Sequence, residues 1–120
     1  MHTVLVADDD PDIQSLVVLR LERSGYRVLR ASDGQEALDL ALREHPDLAV
    51  LDITMPKLDG LEVTRNLRSH EETSVMPVIL LTARVQEDDV AKGLDAGATD
   101  YMKKPFSPQE LGVRVAELLG

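Results

Sequence analysis

The segment that decides the fold is VLVADDDP, residues 4–11. Four apolar residues run without a polar interruption and then meet three aspartates and a proline. An uninterrupted apolar run is typical of a parallel strand that is buried on both faces. Asp10 followed by Pro11 is a typical helix start, with the aspartate as N-cap and the proline at the first helical position. The segment therefore predicts a buried strand, a carboxylate-rich turn and a helix, in that order.

The same alternation of strand and helix repeats along the chain. The predicted strands are residues 4–7, 27–31, 48–51, 78–81 and 99–103. The predicted helices are approximately residues 11–24, 35–44, 61–70, 87–96 and 108–119. Strict alternation implies right-handed crossovers and a parallel sheet that is covered by helices on both faces. In such sheets the ligand site lies beyond the carboxyl ends of the strands.

Residues at the predicted helix ends agree with this assignment. Gly25 lies where the first helix should end, and Gly97 closes the fourth helix, whose apolar stripe is Leu94 and Val90. Ser107 and Glu110 have the spacing of a capping box at the start of the last helix.

The composition limits the classes of function. The chain has 120 residues, which fits one domain with one core, and it contains no cysteine. Disulfides, thiolate metal sites and cysteine nucleophiles are thereby excluded, and a reducing cytoplasm is the expected compartment. Because 22 acidic residues outnumber 13 basic ones, we expect no direct binding to nucleic acid. The first apolar run meets Asp8 too early for a signal peptide, and no apolar run could span a bilayer, so no membrane association is expected.

Chemically active side chains follow four of the predicted strands. The first strand ends in Asp8 and Asp9, the third in Asp52, the fourth in Thr82 and the fifth before Lys104. Close carboxylates repel one another, which raises their pKa values unless a cation neutralises them. A set of oxygen ligands without histidine or cysteine fits a hard ion, Mg²⁺ or Mn²⁺. An aspartate beside such an ion can accept a phosphoryl group, because the metal offsets charge on the incoming oxygens.

Simpler structural interpretations exist for several of these residues. The N-cap role explains Asp10 fully, but a cap needs only one aspartate and leaves Asp8 and Asp9 unexplained. Asp52 could merely begin a loop, and Tyr101 could be a plain core aromatic. Lys103 is expected on the solvent face, since strand alternation directs it away from the side of its neighbour.

Four segments together carry a resemblance to a known family: VLVADDD (residues 4–10), LDITMPKLDG (51–60), LLTA (80–83) and KPF (104–106). In this order and at these separations they resemble the response regulator receiver domain of two-component and phosphorelay signalling. The resemblance runs the length of the chain and implies one receiver domain over residues 1–120, with an output domain possible after Gly120. It implies a flavodoxin-like α/β fold, a doubly wound (βα)5 unit whose five-stranded parallel sheet has the order 2-1-3-4-5.

The resemblance also implies a phosphorylation-dependent switch that is not an enzyme in the usual sense. Asp52 would accept a phosphoryl group from a histidine kinase or a histidine phosphotransfer protein, with Mg²⁺ or Mn²⁺ bound. Asp9 would ligate the metal directly, Asp8 would act through water, and Asp52 and the backbone carbonyl of Thr54 would complete the protein's ligands. Lys104 would pair with Asp52 and then with the phosphate, and its bond to the following proline is expected to be cis.

The remaining implied roles concern transmission of the signal. Thr82 would move toward the phosphoryl group and Tyr101 would turn inward with it, which would alter the face formed by helix four, strand five and helix five. That face is similar to the one through which regulators with a winged-helix DNA-binding domain dimerise. The residues that match its ion pairs are Lys92 with Glu110 and Asp100 with Arg114. Phosphorylation-promoted dimers are therefore our hypothesis, although Thr99 stands where that subclass commonly has a second acid.

Two other classes of function remain as alternatives. A phosphatase of the haloacid dehalogenase type also uses an aspartate after strand one, but Asp12 departs from its motif and the chain lacks the acidic pair required after Lys104. A receiver-like interaction module that is not phosphorylated would not need the intact acidic set. A separate hypothesis assigns Arg84, two residues after Thr82, to slow hydrolysis of the phosphorylated state.

Overall fold

Five strands and five helices alternate along residues 1–83 and 87–120, which are the residues that the computed structural model describes; the side chains of residues 87–90 lie outside this description. The strands are β1 (Thr3–Ala7), β2 (Arg27–Ala31), β3 (Leu48–Asp52), β4 (Val78–Thr82) and β5 (Asp100–Lys103). The helices are α1 (Pro11–Arg23), α2 (Gly34–Glu44), α3 (Gly60–Ser69), α4 (Glu87–Ala96) and α5 (Pro108–Leu119). Every predicted boundary lies within one residue of these. A short 3₁₀ turn at Glu71–Thr73 was not predicted.

The strands form one parallel sheet in the order β2-β1-β3-β4-β5, which confirms the predicted fold. All positions of β3 and β4 are buried, as the continuous apolar runs of these segments indicated. One face of the sheet packs against α2 and α3, with Leu51 and Leu67 fully buried there. The opposite face packs against α1 and α5, where Leu21 and Leu111 are fully buried. The core is therefore two apolar layers on either side of the sheet.

The helix ends follow the sequence signals closely. The Asp10 side chain accepts hydrogen bonds from two backbone amides of α1, and the Ser107 hydroxyl accepts one from the Glu110 amide. Gly25 has φ +93° at the end of α1, a left-handed conformation that glycine adopts without steric cost. Leu94, which was predicted to lie on the apolar stripe of α4, is only partly buried. It lines a narrow apolar cavity between α4 and the sheet, but 57% of its surface is exposed.

Arg68 on α3 ties α4 and the 3₁₀ turn to its own helix. Its Nε donates to the carbonyl of Gly97 at 2.8 Å, and its Nη1 donates to the carbonyl of Thr73 at 3.2 Å. Gly97 has φ +99°, and a Cβ at that position would lie 2.8 Å from Arg68 Cγ. A positive charge at the carboxyl end of a helix stabilises the helix dipole. Because α4 has no basic residue in its last turn, Arg68 of α3 provides this charge. No pattern in the sequence predicted this contact.

Loss of these two hydrogen bonds is expected to destabilise the fold. Arg68→Met keeps the length of the side chain but removes its donors, and we expect the free energy of unfolding to fall by about 1–3 kcal/mol. Urea denaturation followed by circular dichroism measures this change. Arg65→Met, at an exposed position of the same helix, is the matched control and should change stability by less than about 0.5 kcal/mol. Equal midpoints for the two variants would contradict the interpretation.

Candidate functional site

The strand order brings the predicted residues to one edge of the sheet. Asp52 and Thr82 are the last residues of β3 and β4, while Asp8 and Lys104 directly follow β1 and β5. Since β1, β3, β4 and β5 are consecutive neighbours in the sheet, their carboxyl ends form one continuous edge. This edge is where open α/β sheets bind ligands.

Three carboxylates converge there. Asp8, Asp9 and Asp52 each offer one oxygen, and these oxygens all lie within 4.8 Å of one another. Asp8 and Asp52 are buried, with 1% and 5% of their surface exposed, whereas Asp9 is exposed. Carboxylate oxygens without nitrogen or sulfur donors are the ligand set that Mg²⁺ and Mn²⁺ prefer. The donor set therefore fits a hard divalent cation.

Lys104 places its ammonium between the two buried carboxylates. Its Nζ lies 3.0 Å from Asp8 Oδ2 and 3.3 Å from Asp52 Oδ2. Within the described ranges, Asp8 Oδ2 accepts no well-directed hydrogen bond, so its contact with Lys104 is an ionic one. Burial by itself would lower the pKa of Lys104, but the two carboxylates outweigh that effect and raise it. The lysine is thus charged, and it contacts two members of a cluster of three carboxyl groups, which leaves negative charge for a divalent cation to neutralise.

Asp52 has a strongly perturbed acidity. Burial, and after it repulsion from Asp8, raises its pKa to about 7, and the attraction of Lys104 offsets only part of this. An aspartate that ionises this reluctantly is typical of functional sites.

The backbone around Asp52 fixes the position of its carboxylate. Asp52 Oδ1 accepts a hydrogen bond from the Thr54 amide at 3.3 Å, which holds Thr54 beside it. Gly60, the first residue of α3, donates its amide to the Ile53 carbonyl at 2.9 Å. A Cβ at position 60 would lie 2.5 Å from the Asp52 carbonyl oxygen. Glycine is required here because α3 begins directly against the Asp52 peptide group.

The structure places the other predicted residues as follows. Thr82 is buried, and with the half-buried Tyr101 it lines the apolar cavity beneath α4. The Lys104–Pro105 bond is cis, as predicted, and Lys103 is exposed. Arg84 lies outside the described residues.

On the α4-β5-α5 face, Arg114 contacts acidic residues of its own chain. Arg114 forms a salt bridge with Asp100 of the same chain, and its Nη2 lies 4.0 Å from Glu110 Oε1. These contacts raise the pKa of Arg114. Asp100 and Arg114 were predicted as a pair between two chains, but β5 and α5 are adjacent in the fold and bring the two side chains together within one. Lys92 is exposed.

Gln14, a buried residue of α1 beneath the site, was not among the predicted residues. Its side-chain amide donates to the carbonyls of Asp8 and Ala31, at 3.2 and 2.7 Å. No sequence motif signals this contact, because it depends on how α1 lies across the ends of β1 and β2.

An apolar groove opens beside Lys104. It is lined by Ile13, Leu16, Val17, Pro105, Phe106 and Pro108, together with Lys104 itself. Leu16 is 56% exposed although it is apolar.

Among the helices that the structure describes, none has the length and hydrophobicity needed to cross a bilayer.

Comparisons with known proteins agree with this geometry. The family model for the response regulator receiver domain matches residues 4–116. The chain is 51% identical over 116 residues to the alkaline phosphatase synthesis transcriptional regulatory protein PhoP of Bacillus subtilis, covering 97% of this chain and 48% of the relative. It is 45% identical over 119 residues to the DNA-binding dual master transcriptional regulator RpaA of Synechocystis, covering 99% of this chain and 49% of the relative. The chain thus spans about half the length of these curated relatives.

Solved structures show the same likeness. The receiver domain of the Francisella response regulator 1452 superposes with a TM-score of 0.92 at 39% identity, covering 99% of this chain and 97% of the other. The receiver domain of the sensor histidine kinase PA1611 from Pseudomonas aeruginosa superposes with a TM-score of 0.92 at 34% identity, covering 99% and 98%. That second structure has a magnesium ion coordinated in its active site cleft.

Removal of the Asp52 charge is expected to stabilise the metal-free protein at alkaline pH. The pKa of Asp52 is about 7 in the folded state and about 4 in an unfolded chain. The folded state therefore binds the proton more tightly, so the contribution of Asp52 to stability is complete below pH 4 and is lost as the pH rises through 7. At pH 8, Asp52→Asn should raise the free energy of unfolding by roughly 1 kcal/mol or more.

Urea denaturation in the presence of EDTA, at several values between pH 5 and pH 8, measures this dependence. Asp95→Asn, at an exposed position of α4, is the control and should follow the pH profile of the parent. The expectation fails if Asp52→Asn follows that same profile.

Proposed function

Because the chain belongs to the response regulator receiver family, we propose that Asp52 is the residue that takes up the phosphoryl group of this phosphorylation-dependent switch. The observation that carries the proposal is the position of the Asp52 carboxylate. It is buried at the sheet edge, shares a 4.8 Å cluster with Asp8 and Asp9, and lies 3.3 Å from the Lys104 ammonium. A family member of this kind is not a classical enzyme, and its chemistry is directed at its own side chain.

The metal site belongs to the same proposal. Asp9, Asp52 and the carbonyl of Thr54 would hold Mg²⁺ or Mn²⁺ directly, and Asp8 would act through the water shell. When bound, the ion offsets negative charge on the phosphoryl oxygens. The oxygen-only donor set supports this assignment, as does the magnesium ion in the related histidine kinase receiver domain.

The transfer step uses an oxygen of Asp52 as the nucleophile. It attacks phosphorus in line with the leaving group, an acyl phosphate forms, and the bond between phosphorus and the donor nitrogen breaks. Lys104, which now pairs with Asp8 and Asp52, is within reach of the new phosphoryl oxygens. The Thr82 hydroxyl, at the end of the adjacent strand, would donate a hydrogen bond to one of them. Positioning and charge neutralisation are the tasks of the domain.

Membership of a two-component system implies a histidine kinase as partner. We propose a phosphohistidine on that kinase, or on a phosphotransfer protein, as the donor, and the cytoplasm as the compartment of the exchange. The apolar groove that includes Leu16 and ends at Lys104 supports a protein donor, because it offers contact area beside the site.

The phosphatase alternative finds little support in the geometry. At position 12, where that class has a hydroxyl residue or valine, this chain has an exposed aspartate in the first turn of α1. A module that is never phosphorylated is disfavoured for another reason. It would have no use for a buried and mutually repelling carboxylate pair, which is costly unless it serves a function.

Phosphoryl labelling tests the role of Asp52 directly. With labelled acetyl phosphate and Mg²⁺, the parent should take up label, and Asp52→Asn should lose at least about 90% of it because the amide is a poor nucleophile. Asp95→Asn should be labelled like the parent. Peptide mapping of the modified residue identifies the acceptor. Undiminished labelling of Asp52→Asn would refute the assignment, and EDTA should abolish labelling if the metal is required.

Output is proposed to pass through the α4-β5-α5 face. Thr82 and Tyr101 line the same cavity beneath α4, so a shift of one side chain alters the space available to the other. Two exposed apolar residues, Leu94 on α4 and Val113 on α5, lie on these elements beside the charged residues. We propose that phosphorylation promotes a homodimer through this face, and that residues 1–120 are the receiver domain of a longer regulator. Transcriptional regulators of about twice this length among the relatives support an output domain after Gly120 that acts on DNA.

Sedimentation measures the dimer. Beryllofluoride with Mg²⁺, a mimic of the phosphoryl group, should lower the dissociation constant of the dimer by about tenfold or more. Leu94→Glu should abolish this response, because it introduces a charge into the apolar part of the face. Val75→Glu is the matched control, since Val75 is 89% exposed and lies before β4, outside all three elements of the face. A parent that stays monomeric with beryllofluoride would refute the dimer.

A further inference from the structure

Gln14 connects the ends of two strands beneath the acidic cluster. It lies in α1 and is only 8% exposed. Both contacts of its side-chain nitrogen are carbonyl oxygens, Asp8 at 3.2 Å and Ala31 at 2.7 Å, so the amide uses its two hydrogens on the ends of β1 and β2. The backbone amide of Asp8 also donates to the Ala31 carbonyl, at 3.2 Å.

These contacts hold the peptide group that joins Asp8 to Asp9. A peptide group is planar, so the carbonyl oxygen of Asp8 and the Cα of Asp9 lie in one rigid plane. A hydrogen bond that fixes this oxygen therefore fixes the point from which the Asp9 side chain departs. The Asp8 carboxylate is restrained as well, because its Oδ1 accepts a hydrogen bond from the Asp10 amide at 2.9 Å.

We propose that Gln14 is a positioning residue for the divalent cation site, acting through the Asp8–Asp9 peptide group. The inference rests on the proposed function, since it concerns the metal ligands of the same site. Gln14 does not touch the cluster of carboxylate oxygens; it sets the separation and direction of two of the three side chains that provide them.

The chemistry of the ion makes this positioning matter. Mg²⁺ demands nearly ideal octahedral geometry, whereas Ca²⁺ accepts variable ligand distances and numbers. A site whose carboxylates are less firmly held should therefore lose affinity for Mg²⁺ and lose less for Ca²⁺. A residue that merely stabilises the fold would alter both affinities equally or neither, so the ratio of the two distinguishes positioning from stability.

The test measures binding of Mg²⁺ and of Ca²⁺ to the metal-free protein by calorimetry or by NMR titration. Gln14→Met has a similar shape and no donor, and we expect about a tenfold loss of Mg²⁺ affinity, the lower end of what outer-shell partners of metal ligands contribute. Its Ca²⁺ affinity should fall by less. Gln14→Asn keeps an amide that is too short to reach both carbonyls, and its Mg²⁺ affinity should lie between those of Gln14→Met and the parent. Gln35→Met, which removes an exposed amide on α2, is the control and should match the parent.

Acetyl-phosphate labelling of the same variants separates this inference from the proposed function. Saturating Mg²⁺ should restore labelling of Gln14→Met to the level of the parent, because only the affinity is impaired. The inference is overturned if both Gln14 variants bind Mg²⁺ within twofold of a parent that binds and is labelled normally, or if Mg²⁺ and Ca²⁺ affinities fall equally. A parent that binds no Mg²⁺ and takes no label overturns the proposed function and this inference with it. If Gln14→Met does not fold, Gln14→Asn decides alone.

Discussion

The repulsion between the buried carboxylates of Asp8 and Asp52 is the constraint on which this structure depends. Two anions that are withdrawn from water cannot share a pocket without a cation, and Lys104 provides one by reaching between them. The lysine can do so only because β5 is the outer neighbour of β4, so that the residue after β5 lies on the same edge. The charge balance of the pocket therefore depends on the strand order. The fold leaves this charge balance incomplete, and the three carboxyl groups are suited to a divalent cation that would complete it.

The scaffold around this pocket is built from close backbone contacts more than from side chains. Gly60 allows α3 to begin against the Asp52 peptide group, and Gly34 leaves room for the Leu58 carbonyl, which would lie 1.8 Å from a Cβ there. Lys57, in the loop between β3 and α3, adopts φ +71°. Its Nζ lies 3.5 Å from Oδ2 of Asp33, the N-cap of α2. The loop that follows Asp52 is therefore fixed from both sides. Rigid support of this kind lets a small change in charge at the site become a displacement elsewhere.

The extent to which the sequence predicts this protein depends on how local each signal is. Apolar runs, N-caps and glycines are local signals, and they located every strand and helix to within one residue. Asp8, Asp52 and Lys104 could be grouped because one topological rule places strand ends together. Gln14 and Arg68 could not be found in this way. Their partners are backbone carbonyls, which carry no residue-specific signal, and two of these, Ala31 and Gly97, lie in distant segments. The intrachain pairing of Arg114 was missed because a charge pattern does not reveal which of two copies supplies the partner.

That pairing has a consequence for recognition. Asp100 is already engaged, since its carboxylate accepts a hydrogen bond from the Tyr101 amide and forms the salt bridge to Arg114. A surface that recruits either charge meets a group that is already partnered, so the net electrostatic gain from an ionic contact with Asp100 or Arg114 is small. The binding free energy of a partner on this face would therefore come mainly from burial of apolar area such as that of Leu94 and Val113. The two charges instead contribute to specificity, because binding is weakened for any partner that disrupts the Asp100–Arg114 salt bridge without offering an equivalent contact.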